Sequence, residues 1–285
     1  AIIEARAAVG GTWDLFRYPG IRSDSDMYTF GFNFKPWCSP KGISPGKDIK
    51  AYIAEAASEN GIDKQIAFEH KVIKANWDST TAKWHTEVKN LQSGETLHYI
   101  STFFFSGAGY YNYDQAYTPD FNGLDQFQGQ VIHPQFWPED MDYSDKKVVV
   151  IGSGATAITL VPSMTAKASH VTMLQRSPTY IVSVAAENKL ANFLRRHLPE
   201  KLAYSLNRWL RVLMGIAFFQ MSRRRPEWVK RLLRRGVVSV LGEDYEIDKH
   251  FKPTYQPWDQ RVCLVPDSDF FEAIKSGSAS VVTDH

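Results

Sequence analysis

The sequence predicts an α/β fold, with parallel strands followed by helices and an antiparallel meander set between the first strand and the later ones. Three stretches predict it. Val148–Met164 (VVVIGSGATAITLVPSM) is a short apolar run, then a glycine turn, then a helix-like segment. Ile2-Ile3-Glu4 reads as the end of another strand, closing on an acid. Between them, residues 66–105 form short runs rich in β-branched and aromatic residues, separated by polar turns at Asp78–Thr81 and Gln92–Glu95.

The elements follow in order. Residues 1–6 end a strand and lead into the loop GGTWDLFRYPG. KDIKAYIAEAASEN (47–60) reads as a helix stopped by Gly61. FEHKVIKANW, KWHTEVKN and LHYISTFFF read as three strands, the last running into the permissive turn Ser106-Gly107-Ala108-Gly109. Pro119, Pro134 and Pro138 mark a loop-rich link. Val148–Ile151 has the continuous apolar character of a strand buried in a parallel sheet. Ala155–Ala166 is its helix, in which Pro162 predicts a kink or an early stop. HVTMLQR (170–176) is the next strand, and 187–235 reads as two or three helices broken near Pro199 and Pro226. Val281 and Val282 look like the opening of a further strand. Both ends resemble cuts through secondary structure, so the sequence reads as a fragment of a longer protein.

The 285 residues are 44% hydrophobic and 13% aromatic, enough for a real core and about two domains. The expected division is 1–144 and 145–285, the second incomplete and carrying the helical insertion 187–235. A net charge of +2 singles out no macromolecular partner, nucleic acid included. Cys38 and Cys263 form no CxxC or zinc-type spacing, and AIIEAR is no secretory signal. The composition therefore suits a reduced, cytoplasmic protein without disulfides or a structural metal. The charge is uneven: residues 195–235 hold twelve Lys or Arg against Glu200 and Glu227, a local +10 on an acidic body. Their apolar run LRVLMGIAFFQM falls short of the ~20 residues that span a bilayer. A solvated basic face over a cleft is the first reading of this segment. Peripheral docking on an anionic membrane is the second.

Gly152-Ser153-Gly154-Ala155-Thr156-Ala157 fits G-x-G-x-x-A between a strand and a helix. The first glycine permits the tight turn, the second lets a pyrophosphate approach the backbone, and the small last residue lets helix pack on strand. The helix N-terminus adds unpaired N–H groups and partial positive charge. The bland reading is an ordinary strand–helix turn. A dinucleotide site for NAD would usually place an acid on the following strand, but that strand ends in Leu174-Gln175-Arg176-Ser177. Arg176 could pair with a 2′-phosphate through its planar fork, which predicts NADPH over NADH. Otherwise Arg176 is a solvated strand-end residue. Glu4 stands where a second site would take a ribose hydroxyl, although alone it reads as a surface carboxylate. Together these features predict two Rossmann-like dinucleotide-binding domains, the second inserted in the first.

At this point the residues resemble a known group. Phe127-x-Gly129-x-x-x-His133-x-x-x-Trp137-Pro138 matches the FxGxxxHxxxWP fingerprint of Baeyer–Villiger monooxygenases, class B flavoprotein monooxygenases. Gly10-Gly11-x-Trp13-x-x-x-x-Tyr18-Pro19-Gly20-x-x-x-Asp24 matches their longer upstream fingerprint. The likeness covers nearly the whole chain and is strongest to the branch containing the ethionamide-activating monooxygenase, in GGTWDLFRYPGIRSDSDMYTF and TMLQRSPTYIVS.

The resemblance implies tightly held FAD reduced by NADPH, and a peroxyflavin that inserts one oxygen atom from O2 beside a ketone carbonyl or oxidises a sulfide. It places Arg261, in YQPWDQRVCLVPDSD, as the active-site arginine, with Asp24 as its paired carboxylate. An always-charged guanidinium suits an anionic oxygen in a dry site. The family's Lys before that arginine is Gln260 here, which puts the Lys role in doubt. Glu4, Gly11, Trp13, Asp24, Tyr28 and Gly107 are expected near FAD, with Asp26 and the turn Ser106–Tyr110. Gly152–Thr156 and Arg176 are expected at NADPH. Phe127, Gly129, His133 and Trp137 belong to the linker, where His133 reads as structural rather than as an acid or base. Trp13, Tyr18 and Trp137 read as packing residues. Alternatives are an N- or S-oxygenating flavin-containing monooxygenase, a flavin disulfide reductase (disfavoured by the missing CxxC), and a non-catalytic nucleotide-binding fragment.

Overall fold

The computed structural model describes residues 1–284. Its strands are β1 (Ile2–Ile3), β2 (Ile66–Ala67), β3 (His70–Asp78), β4 (Lys83–Asn90), β5 (Thr96–Ser101), β6 (Lys147–Ile151), β7 (His170–Gln175), β8 (Tyr180–Val184), β9 (Val262–Pro266) and β10 (Ala279–Thr283). Its helices are α1 (Thr12–Leu15), α2 (Met27–Phe30), α3 (Gly46–Glu59), α4 (Ala155–Met164), α5 (Lys189–His197), α6 (Glu200–Arg224), α7 (Pro226–Leu241), α8 (Ile247–His250) and α9 (Asp269–Lys275). The chain is an α/β protein, as the sequence predicts.

It divides into two compact units, and not at residue 144. Unit 1 holds Ala1–Arg17 and Lys47–Trp137; unit 2 holds Tyr18–Gly46 and everything from Pro138. Residues 18–46, expected in the first domain, pack instead with the glycine-turn unit. The second break falls inside the FxGxxxHxxxWP segment, between Trp137 and Pro138.

In unit 1, β1 pairs in parallel with β2, while β3, β4 and β5 form the predicted antiparallel meander. Trp77 faces Trp84 across β3 and β4, and Phe104 stacks beyond them at 5.4 Å from Trp84. Alternate residues of a strand share one face, so such cross-strand aromatic pairs set the register. The third strand stops at Ser101, earlier than Phe105 as the sequence suggested, and residues 102–109 carry no regular structure. On α3, Ile49, Tyr52, Ala56 and Ala57 are buried, one stripe at helical spacing.

Unit 2 is built on a parallel sheet in the order β10-β7-β6. Val171 and Met173 of β7 are fully buried, as are Val161 of α4 and Phe270 of α9. Phe251, Phe270 and Phe271 meet edge to face at 5.6–6.3 Å. The early stop expected from Pro162 is seen: α4 ends two residues later, at Met164. The segment 187–235 forms three helices, the last running on to Leu241. The sequence reading missed β8 and β9, a parallel pair with Tyr180 opposite Val262.

Candidate functional site

β6 delivers the chain into the glycine turn, where the Gly152 N–H donates to the Leu174 carbonyl at 2.8 Å and ties the turn to β7. Gly152 has φ +128°, which L side chains rarely adopt. A Cβ at Gly152 would meet nothing within 4 Å, and one at Gly154 would meet only Arg261 Nη1, at 3.9 Å. Gly154 starts α4 with no side-chain cap, and no acid stands in the first turn. The backbone therefore faces open space beside a guanidinium, which fits a pyrophosphate at a helix N-terminus. Ala155 and Thr156 open the helix, and the small Ala157 is buried. Arg176 follows the end of β7 and is exposed. No hydrogen bond or ion pair engages its side chain among the described residues.

Arg261 is held from two directions. Ser153 Oγ donates to the Ser177 carbonyl at 3.2 Å, and Thr179 Oγ1 lies 3.1 Å from Ser153 Oγ. Arg261 Nε donates to Thr179 Oγ1 at 3.4 Å, so the glycine turn and the arginine share one buried hydroxyl relay. Ser153 and Thr179 are both buried. On the backbone side, Tyr255 donates to the Arg261 carbonyl at 3.0 Å, and Tyr180 donates to the Tyr255 carbonyl at 2.8 Å. The sequence reading missed Thr179 and Tyr255. Nothing local distinguishes such hydroxyls from other polar residues before the chain folds.

The segment from Tyr18 to Gly46 packs on the same helix. Tyr18 is buried, and its hydroxyl bonds to Thr156 in the first turn of α4. Burial pushes that hydroxyl's pKa up, Thr156 pulls it down, and Asp24 adds to the rise. Gly20 lies against Ser163. Arg22 forms a two-pronged ion pair with Asp269 of α9. Asp24 follows this clamp. Cys263 lies behind the corner, its thiol pushed up to about 11, chiefly by burial, with Arg261 lowering and Asp24 raising it. Asp24 and Arg261 thus both act on the Cys263 thiol in unit 2. They do not form the ion pair the resemblance implied: both are exposed, and Arg261 turns its Nε to Thr179.

Tyr28, expected at FAD, presents no surface. It is 1% exposed, its hydroxyl donates to the Ser39 carbonyl at 3.3 Å, and its own carbonyl accepts from Arg208 of α6. Asp26 caps α2 through the N–H groups of Tyr28 and Thr29.

In unit 1, Glu4 lies just past β1, and its Oε1 accepts the Arg6 N–H at 2.9 Å. Its Oε2 has no partner among the described residues. A Cβ on Gly11 would lie 3.2 Å from the Tyr113 hydroxyl, so that phenol covers the glycine. Trp13 lies in α1, half-buried, and Gly107 is exposed in the irregular run after β5. The sequence reading missed Asp14. This buried carboxylate pairs with Arg6, Arg17 and Lys50 and fixes the loop 10–15. Burial alone would raise its pKa, but Lys50 and Arg6 outweigh burial and hold the carboxyl below the usual carboxylate range. His133 Nδ1 accepts the Gln135 N–H at 3.1 Å and caps a single turn at Pro134–Phe136. Gly129 brings the backbone under the Phe127 ring, where a Cβ would lie 2.6 Å from Cε1.

A family model described as "Flavin-binding monooxygenase-like" matches residues 41–212. The chain is 51% identical over 284 residues to the FAD-containing monooxygenase EthA of Mycolicibacterium smegmatis, covering 99% of this chain and 57% of the relative. It is equally similar, 51% over 284 residues, to the probable FAD-binding monooxygenase AlmA of Acinetobacter baylyi. The chain thus spans under three fifths of the length of these curated relatives. Among solved structures, a steroid monooxygenase bound to NADP superposes with a TM-score of 0.76 at 22% identity, over 99% of this chain and 60% of that one. A cyclohexanone-bound cyclohexanone monooxygenase gives 0.74 at 19% identity, again over 99% and 60%. At such identities these two likenesses speak to the fold.

Proposed function

The chain belongs to the flavin-binding monooxygenase-like family, and from that premise we propose that it forms the cofactor-binding part of an FAD- and NADPH-dependent monooxygenase acting on a ketone or a sulfide. One observation carries the reading: the Arg261 guanidinium lies against the open Gly152–Gly154 turn. In unit 2, the first N–H groups of α4 would take the pyrophosphate of NADPH, and Arg176 its 2′-phosphate. In unit 1, the unengaged oxygen of Glu4 would take a ribose hydroxyl of FAD, with Gly11, Trp13 and Gly107 lining the approach. When bound, FAD supplies the activation of O2. The protein's own part is to orient both cofactors, exclude water and fix a permanent cation where negative charge develops on oxygen. Asp24 would set the local field without neutralising that cation.

The test is product analysis with NADPH, O2 and either substrate class. Ester from a ketone, or sulfoxide from a sulfide, formed in step with NADPH consumption supports the reading. NADPH consumption that yields only hydrogen peroxide with both classes overturns it. For the nicotinamide cofactor, Arg176→Ala is expected to weaken NADPH about tenfold or more and leave NADH unchanged, since a charge-assisted bond to phosphate contributes about 1.5–3 kcal/mol. Equal losses measured by titration would remove Arg176 from the site.

Thr179→Val should leave the fold intact and lower oxygenation about tenfold, because Arg261 loses a hydrogen bond of roughly 1 kcal/mol and its orientation with it. Thr179→Ser, which keeps the hydroxyl, should restore the rate. Equal damage from both substitutions would mean that Thr179 serves packing alone.

A further inference from the structure

Helix α6 is inside out. Its inward face buries Ala203 together with Tyr204, Asn207 and Ser222, so most of its buried side chains carry a polar group. Arg208 on that face donates to the carbonyls of Tyr28 and Gly31 at 3.0 and 2.9 Å. Its outward face carries Leu202, Leu206, Trp209, Leu213 and Ile216, at 48%, 46%, 62%, 59% and 53% exposure. These five recur at i, i+4, i+7, i+11 and i+14, which is one stripe of an α-helix. Helical burial normally runs the other way, so this stripe asks for a cover.

Charge says what covers it. Arg195, Arg196 and Lys201 stand at one end of the stripe and Arg224 and Arg225 at the other, where the neighbouring Arg223 is paired with Asp259. The two clusters flank a helix of 25 residues, about 38 Å long at ~1.5 Å per residue. At the α6–α7 elbow, Arg224, Arg225, Arg231 and Trp228 line an open pocket of about 560 Å³. Glu227, the acid in this pocket, is engaged by Lys230. Among the described residues, Arg224 and Arg225 have no ion-pair partner. A second copy of this face would set its own Arg195, Arg196, Lys201, Arg224 and Arg225 against like charges, which disfavours self-association. No helix among the described residues is long and apolar enough to cross a membrane. An apolar stripe with cations at both ends and a Trp along it is the pattern of a helix lying flat in a lipid interface.

We propose that α6 and the α6–α7 elbow dock unit 2 on an anionic phospholipid surface, with the Leu202–Ile216 stripe in the acyl boundary and the elbow arginines on headgroup phosphates. The stripe supplies apolar area and the arginines supply selectivity, each basic residue near such a surface contributing about 1 kcal/mol. Docking of this kind would bring apolar substrates to the protein from the bilayer.

Sedimentation with extruded vesicles tests it. The chain should bind vesicles of phosphatidylcholine with about one third phosphatidylglycerol at least tenfold more tightly than pure phosphatidylcholine, and raising salt from about 0.05 to 0.5 M should abolish most of the difference. Leu206→Ser/Trp209→Ser/Leu213→Ser should lose binding to anionic vesicles with circular dichroism unchanged. Arg224→Ala/Arg225→Ala should lose the preference for anionic lipid. Three results overturn the proposal: no binding at low salt, equal binding to both vesicle types, or a concentration-dependent dimer that the triple substitution dissolves.

Discussion

Arg261→Ala is expected to lower the rate of substrate oxygenation about 100-fold or more while NADPH remains bound and oxidised, so that reducing equivalents leave as hydrogen peroxide. The size follows from losing a fixed donor at an oxygen that gains charge in the transition state, typically about 10²–10³ in rate. The structure adds the reason a smaller cation would not substitute. The guanidinium is oriented through Nε by Thr179 and through the backbone by Tyr255, which leaves Nη1 beside the Gly154 backbone. Arg261→Lys keeps a charge but has no counterpart to Nε, and its ammonium is a compact point charge on a flexible stem. It should fall between wild type and Ala. The measurement is oxygenated product per NADPH consumed, compared across the three proteins. A normal product yield from the Ala variant would dismiss Arg261 from the chemistry, and Asp24 with it.

Local pattern was legible in this sequence, and tertiary destination was not. The strand–turn–helix at residues 147–164 could be read because the phosphate-binding turn is encoded within a few consecutive residues. The meander could be read because each strand pairs with its neighbour through a short polar turn. By contrast, β8 and β9 pair across 82 positions, with four helices between them, so neither YIVSV nor VCLVP names its partner. The same limit applies to Tyr18–Gly46. Its order in the chain assigned it to the first domain, whereas its side chains answer to α4 and α9. Tyr28 shows the same limit: next to a cofactor fingerprint it looks like a lining residue, but in the fold its ring is buried beside Gly42 and its carbonyl accepts from Arg208 of α6. Asp14 sits one residue past Trp13 and drew no attention, because a carboxylate reveals its cations only after Arg6 and Lys50 have been folded onto it. The outward apolar stripe of α6 has the same origin. Its 3.6-residue period is visible in the sequence, but the side facing water is not.

Gly20→Ala is the substitution expected to do most harm away from the chemistry. Gly20 has φ +74°, a conformation costing a residue with a side chain roughly 1–2 kcal/mol. A Cβ there would lie 2.6 Å from Ser163 Cβ, closer still to Ser163 Oγ, and 3.3 Å from the Thr159 carbonyl oxygen. Ser163 cannot rotate away without cost, since its Oγ donates to that same carbonyl at 2.7 Å. Overpacking of this kind typically adds about 1–3 kcal/mol. The total, about 3 kcal/mol, is roughly a 100-fold change in the equilibrium that keeps Tyr18–Gly46 on α4. Urea unfolding should therefore show a lower midpoint, and because the displaced segment carries Asp24 and the Tyr18–Thr156 bond, oxygenation should fall as well. Ser163→Gly separates the two contributions. Alone it costs about 0.5 kcal/mol of helix propensity. Combined with Gly20→Ala it removes the collision, so the double variant should be less damaged than the sum by about 1–2 kcal/mol, the φ strain remaining. Strict additivity would mean that Gly20 and Ser163 do not touch, and the seat proposed for Asp24 beside Arg261 would go with that contact.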